Sequence, residues 1–163
     1  MPGDDLVESA DAVMDRAFTI SAAPDEVWPW LVQLGKGRAG WYLPRHVERF
    51  VPPGRRAVRH VDTRWQDLEP GDVIPDYGGR DETFTVNRID SPQAIAYTSE
   101  RGRSHISWAI LLAPIGHGRT RVRLRLRVGP IKHKWLVKTG GELIDRLTIA
   151  GMAAGLEERL RER

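Results

Sequence analysis

The stretch whose reading decides the fold is Trp135–Arg163, WLVKTGGELIDRLTIAGMAAGLEERLRER. At about 100° per residue, Leu136, Leu143, Ile144, Leu147, Ala150, Gly151, Ala154 and Gly155 share one side of a helical wheel. Glu142, Arg146, Glu157 and Arg161 fall at or beyond the edges of that side, and Ile149, Met152, Leu156 and Leu160 carry the apolar surface further round. The spacing predicts one long helix that other elements must cover broadly. Its apolar side begins large and ends small. A glycine inside a helix costs about 1 kcal/mol relative to alanine, so Gly140, Gly141, Gly151 and Gly155 call for a steric reason. That reason is either close approach of another element or room for a ligand. Leu143, Ile144 and Leu147 are expected to anchor the helix to what wraps it.

The wrapper is written upstream as strands. Asp15–Ala22 alternates, with Phe18 and Ile20 on one face and Ala17, Thr19 and Ser21 on the other. Pro24 then opens a short helix. Asp25 and Glu26 suit its positive end, and Val27, Trp28, Leu31 and Leu34 make its apolar face. Pro29 falls early enough not to break it. Gly35 caps that helix. The run Gly35–Gly40 spaces three glycines as dinucleotide-binding loops do, but it follows a helix instead of a strand, so it reads as a cap and loop. His46–Val51 is a short helix or turn closed by Pro52-Pro53-Gly54.

Pro70-Gly71-Asp72 is a turn leading into a short Val73-Ile74 strand, and four longer strands follow, Glu82–Ile89, Gln93–Ser99, Arg103–Ala113 and Arg119–Val128. Their connections are too short for anything but an antiparallel meander. In the last two, Ile106, Trp108, Ile110 and Leu112 oppose His105, Ser107 and Ala109, and Val122, Leu124, Leu126 and Val128 oppose Arg121, Arg123, Arg125 and Arg127. One face is apolar and the other wet. The class is α+β, with helices on one face of an antiparallel sheet.

The order of motifs also resembles a known family. Ala23–Gly35 (APDEVWPWLVQLG), Gly40-Trp41-Tyr42, Gly71–Ile74 (GDVI), Trp108–Pro114 and Gly118–Arg121 look like the SRPBCC superfamily, which includes START-domain, polyketide cyclase and birch-pollen-allergen-like proteins. The resemblance covers roughly residues 16 to 163. It implies the helix-grip fold, a curved antiparallel sheet of about seven strands gripping the C-terminal helix around a cavity for an apolar ligand. It does not imply one reaction, because the superfamily holds carriers, cyclases, hydrolases and chaperone activators.

Length and composition bound the rest. With 163 residues, 40% of them hydrophobic, the chain makes one domain with a real core, assigned to residues 15–163. Residues 1–14 read as an acidic segment, either a loose helical turn or unordered. The chain has no cysteine, which excludes disulfides, thiolate metal sites and a cysteine nucleophile. No run approaches the roughly 18 apolar residues of a membrane span, and no secretory signal is visible, so a cytoplasmic location is expected. The net charge of +3 is unevenly spread. Five acids and no base lie in Met1–Asp15, six arginines in Arg45–Arg64, and eight Lys or Arg in Arg119–Lys138. The arginine row at 119, 121, 123, 125 and 127 is expected to pair with acids on neighbouring strands such as Glu82 or Glu100, or else to meet an anionic partner. Nucleic acid is disfavoured, because Val and Leu interleave the arginines where stacking aromatics would be needed.

No catalytic constellation emerges. His46, His60, His105, His117 and His133 have no metal-ligand spacing, Asp72 is explained by its turn, Asp76 has no visible partner, and there is no nucleophile elbow. Neither a cofactor nor a metal is expected. The candidate ligand-binding residues are Trp41, Tyr42, Trp65, Phe84, Tyr97, Trp108, Leu147, Gly151, Ala154 and Gly155. The expected function is binding, as carrier or sensor, of a small hydrophobic or aromatic molecule such as a lipid, polyketide or isoprenoid between sheet and C-terminal helix. The alternatives are a cyclase or dehydratase using the same cavity, with Tyr97, Tyr42 or a buried acid moving protons, and a protein-interaction module using the Arg119–Arg127 face.

Overall fold

Alternating or continuous apolar runs make the longer strands of this protein. The computed structural model describes residues 1–131 and 141–162, with side chains except those of 141–146. Strand β1 (Ala12–Ile20) is followed by helix α1 (Pro24–Val32) and a single helical turn α2 (Arg45–Glu48). Strands β2 (Val73–Pro75), β3 (Thr83–Asp90), β4 (Ala94–Arg101), β5 (Ser104–Pro114) and β6 (Thr120–Gly129) come next, then helix α3 (Gly141–Arg161). Ser91-Pro92, Gly102 and Gly116–Gly118 mark the turns between β3, β4, β5 and β6. One antiparallel sheet runs in the order β1-β6-β5-β4-β3-β2, so β1 and β2 are its two edges. The described sheet has six strands where about seven were expected. Residues between α1 and β2 go into α2 and short 3-10 turns at Pro53–Arg55 and Thr63–Trp65, which fits a segment rich in Pro and Arg with no alternation.

The register fixes what faces inward. Met14, Leu126, Trp108, Tyr97 and Val86 pair across five strands, and so do Arg16, Leu124, Ile110, Ile95 and Ile89. This face carries the core together with Val27, Trp30 and Leu31 of α1 and Met152 and Leu156 of α3, all nearly or fully buried. The first part of the helix expected over 135–163 and the anchors Leu143 and Ile144 lie outside the described residues and side chains. Leu147 does not anchor the helix, since it is 65% exposed.

The opposite face of the sheet is also partly covered. The acidic N-terminal segment forms a 3-10 turn at Asp4–Leu6 and buries Val7. The arginine row holds it there. Arg123 and Arg125 both donate to the Asp15 carboxylate, Arg125 also donates to Asp4 Oδ2 at 2.7 Å, and Arg127 donates to the Val7 carbonyl at 2.9 Å. The expectation that these arginines pair with Glu82 or Glu100 is therefore corrected. The register puts Asp15 directly opposite Arg125 on the neighbouring strand, whereas Glu82 and Glu100 lie toward the other edge.

Candidate ligand cavity

Gly151 and Gly155 of α3 are explained by close approach. A Cβ on Gly155 would sit 2.6 Å from the backbone of Leu43, and one on Gly151 would sit 2.9 Å from Leu43 Cδ2. The small-residue row thus receives the chain after Trp41-Tyr42 and does not open toward the sheet. Of the two readings of these glycines, tight packing is the one observed.

That crossing is locked by a buried arginine. Arg159 of α3, 1% exposed, donates to the carbonyls of Leu43 at 2.9 Å, Gly155 at 3.0 Å and Val58 at 2.8 Å. It also pairs with Glu48 of α2, and its guanidinium lies 4.9 Å over the Tyr42 ring. Glu48 accepts a second bond from Arg59 Nη1 at 3.0 Å. Every group a buried charge needs is supplied here.

With the 40–60 segment pinned, Trp41 is held over an open space further up the helix. A cavity of about 690 Å³ lies between the inner sheet face and α3. Its floor is Phe84, Ile106, Trp108, Leu124 and Leu126 from the strands, and its roof is Trp41, Thr148 and Ile149. Met14 and Arg16 close one side. Ile74, Pro75, Asp76, Tyr77 and Gly78, from β2 and the turn after it, close the other together with Arg101. Trp41 donates its indole N–H to the Thr148 carbonyl at 3.4 Å and meets Tyr77 edge-on at 6.5 Å. Phe84 and Trp108 are 5.7 Å apart, and Tyr97 stacks against Trp108 at 5.2 Å. The volume is in the range that holds a drug-sized ligand, and the walls are mostly apolar, as small-molecule sites are.

Three of the ten candidate binding residues line this cavity, namely Trp41, Phe84 and Trp108. The structure does not bring the other seven to it. Tyr97 is buried beside Trp108. Tyr42 is fully buried and donates its hydroxyl to the Trp30 carbonyl at 2.7 Å. Trp65 lies between the guanidiniums of Arg38 and Arg64, at 5.0 and 5.5 Å. Leu147 and Ala154 are exposed, and Gly151 and Gly155 meet Leu43.

The polar members of the wall were missed. Asp76, for which no partner was visible, accepts from Arg101 and from the Tyr77 amide at 2.6 Å; Arg101 also lies 3.3 Å from Glu82 and 5.5 Å from the Phe84 ring. Partners 25 residues apart leave no local signal. Arg16 was legible, because the alternation of Phe18 and Ile20 extends back through Arg16 to Met14. Its Nη1 donates to the Asp15 carbonyl at 3.0 Å. Burial pushes the Tyr42 and Tyr97 hydroxyls well above the ordinary phenol range. Both stay protonated, which removes them as proton acceptors near neutral pH.

The Gly35–Gly40 loop closes on itself, Gly40 N–H donating to the Gly35 carbonyl at 3.0 Å and Gly35 N–H to the Gly40 carbonyl at 3.3 Å. Among the described residues no cluster of three or more His, Asp or Glu is arranged to hold a metal ion, and no helix is long and apolar enough to cross a membrane.

Solved structures match this arrangement across nearly the whole chain. The fold is the SRPBCC-type helix-grip fold. A protein from Mesorhizobium loti superposes with a TM-score of 0.55 at 16% identity, covering 93% of this chain and 98% of its own. CalU16 from Micromonospora echinospora gives 0.51 at 16%, covering 92% and 84%. An HSP90 activator from Plasmodium falciparum gives 0.52 at 12%, covering 90% and 91%. Identities this low speak for the fold alone. No family model and no curated protein matches the sequence.

Proposed function

We propose that this protein binds a small, largely apolar molecule in the cavity between the sheet and α3. The observation that carries the reading is the cavity of about 690 Å³ framed by Trp41, Phe84 and Trp108. The Arg159–Glu48 pair fixes the chain that carries Trp41, and Phe84 and Trp108 stand on β3 and β5, so the aromatic walls belong to the fold itself. Binding takes the ligand's apolar surface out of water. The aromatic walls suit a ring-bearing or unsaturated ligand, which gains edge and face contacts beyond simple burial. The enzyme alternative has less to draw on. The ionisable groups of the wall are Arg16, Asp76, Tyr77 and Arg101, and the Asp76 carboxylate is committed to its arginine.

The test uses the neutral fluorophore N-phenyl-1-naphthylamine. Its emission should rise saturably, and a hundredfold excess over Kd should raise the melting temperature through about 2.7 kcal/mol of stabilisation. Leu126→Trp and Ile106→Trp, which fill the floor, should each weaken binding at least tenfold while the far-ultraviolet circular dichroism is retained. Undiminished binding in both folded variants defeats the proposal.

A further inference from the structure

We propose that the tip formed by α2 and the turn after it docks on an anionic lipid surface, Phe50 entering the headgroup region while Arg49, Arg55 and Arg56 meet lipid phosphates.

The tip is built around Glu48. That side chain is buried and accepts from Arg159 and Arg59, while Val47, Arg49 and Phe50 beside it turn outward. Phe50 is 76% exposed, more than any other large apolar side chain among the described residues. The Arg49 guanidinium lies 4.6 Å from the centre of its ring. Arg56 closes the turn, donating back to the Val51 carbonyl at 2.9 Å and the Arg49 carbonyl at 3.3 Å. Pro52 and Pro53 follow, both exposed. The ring and the cations around it are therefore held in place before any contact, so docking orders little chain.

A single exposed apolar side chain is ordinary on a protein surface. The charge around this one is not. The acids at this end of the molecule already have arginines: Glu48 has Arg159 and Arg59, Glu158 and Glu162 have Arg45 and Arg59, and Asp62 has Arg64. Arg49, Arg55 and Arg56 meet no carboxylate among the described residues. The tip thus carries an excess of positive charge around an exposed ring. An acidic peptide would satisfy the arginines and leave the ring in water. A bilayer surface takes both, with phosphates at the level of the guanidiniums and the edge of the acyl region just beneath for the ring.

The experiment is sedimentation at low salt with vesicles of phosphatidylglycerol and phosphatidylcholine in equal parts, and with vesicles of phosphatidylcholine alone. Partition into the anionic vesicles should be stronger by about tenfold or more. Arg49→Ser combined with Arg55→Ser should cut it about twentyfold, at roughly fivefold for each arginine, and Phe50→Ser should cut it about threefold or more. Arg56 stays in place because it closes the turn. Arg103→Ser, which removes an exposed cation in the β4–β5 turn, should change partition less than twofold. The chain has no cysteine, so Phe50→Cys can carry a single nitrobenzoxadiazole label, whose emission should brighten and shift to the blue on the anionic vesicles. All of these side chains are exposed, and circular dichroism checks that each variant folds. Equal partition into the two kinds of vesicle overturns the proposal. So does undiminished partition of Phe50→Ser, and capture by soluble polyglutamate with the same arginine dependence then identifies an acidic protein surface as the partner.

Discussion

Arg159 and Glu48 show how one pair of side chains determines where a loop can lie. The arginine is wholly buried and donates to four carbonyls, those of Leu43, Ala57, Val58 and Gly155, and to one carboxylate, which seats the chain around Leu43 and Val58. Removing the carboxylate leaves a buried cation without its counterion, which typically costs about 3 to 5 kcal/mol. Glu48→Ala should therefore lower the urea midpoint by that amount of free energy, with the slope of the transition unchanged. Arg59→Ala, which removes a partly exposed contributor to the same carboxylate, should cost far less. None of this was legible beforehand. Glu48 reads in sequence as a surface residue of a short basic helix, and Arg159 as part of the charged end of a long one. A charge becomes a core residue only when distant partners converge on it, and here the partners lie more than a hundred residues apart.

At the scale of elements, alternation and periodicity did most of the work. Strands β3 to β6 appear within two residues of where the apolar pattern places them, and α1 begins at Pro24 as its acidic first turn implies. The order β3-β4-β5-β6 followed from short connections, and the pairing of β1 with β6 did not. What stayed hidden was the role of α3's small residues, because a helical wheel says which side is small and not what comes against it. Two alanine substitutions separate the cases. Gly155→Ala must push on Leu43 backbone atoms at 2.6 to 2.7 Å, so overpacking of about 1 to 3 kcal/mol should outweigh the gain in helix propensity. Gly151→Ala meets only the tip of the Leu43 side chain, which can turn away, and should be near neutral. Thermal melts of the two variants check this directly. The candidate site was legible in its aromatic residues, Trp41, Phe84 and Trp108, since these stand on an inward strand register or a loop at the open end. Of its polar residues, Arg16 follows from the alternation of β1, whereas Asp76 and Arg101 depend on pairing between the turn after β2 and β4, which no local pattern records.

Across the whole molecule, acid sensitivity follows from the carboxylates the arginines hold. Hydrogen bonds from Arg123 draw Asp15 down to about 2, and those from Arg59 and Arg45 draw Glu162 down to about 2. A carboxylate depressed in the folded state contributes stability that is complete above its unfolded value, about 4, and is lost as pH falls toward the folded value. Stability should therefore fall between about pH 4.5 and pH 2. Asp15→Asn should flatten the lower part of that decline and lower the melting temperature at pH 7, with parent and variant converging near pH 2. A series of melts at stepped pH measures both effects. The sheet itself is stitched unevenly. β5 and β6 pair from His105↔Gly129 to Pro114↔Thr120, while β2 is three residues long and meets only β3. Among the described strands, β2 and the wall carrying Asp76 and Tyr77 should therefore open locally at the lowest free energy. On the proposed binding reading, a ligand's entry is then timed by the opening of one short edge strand, and the ten-residue β5–β6 pairing need not be disturbed for it.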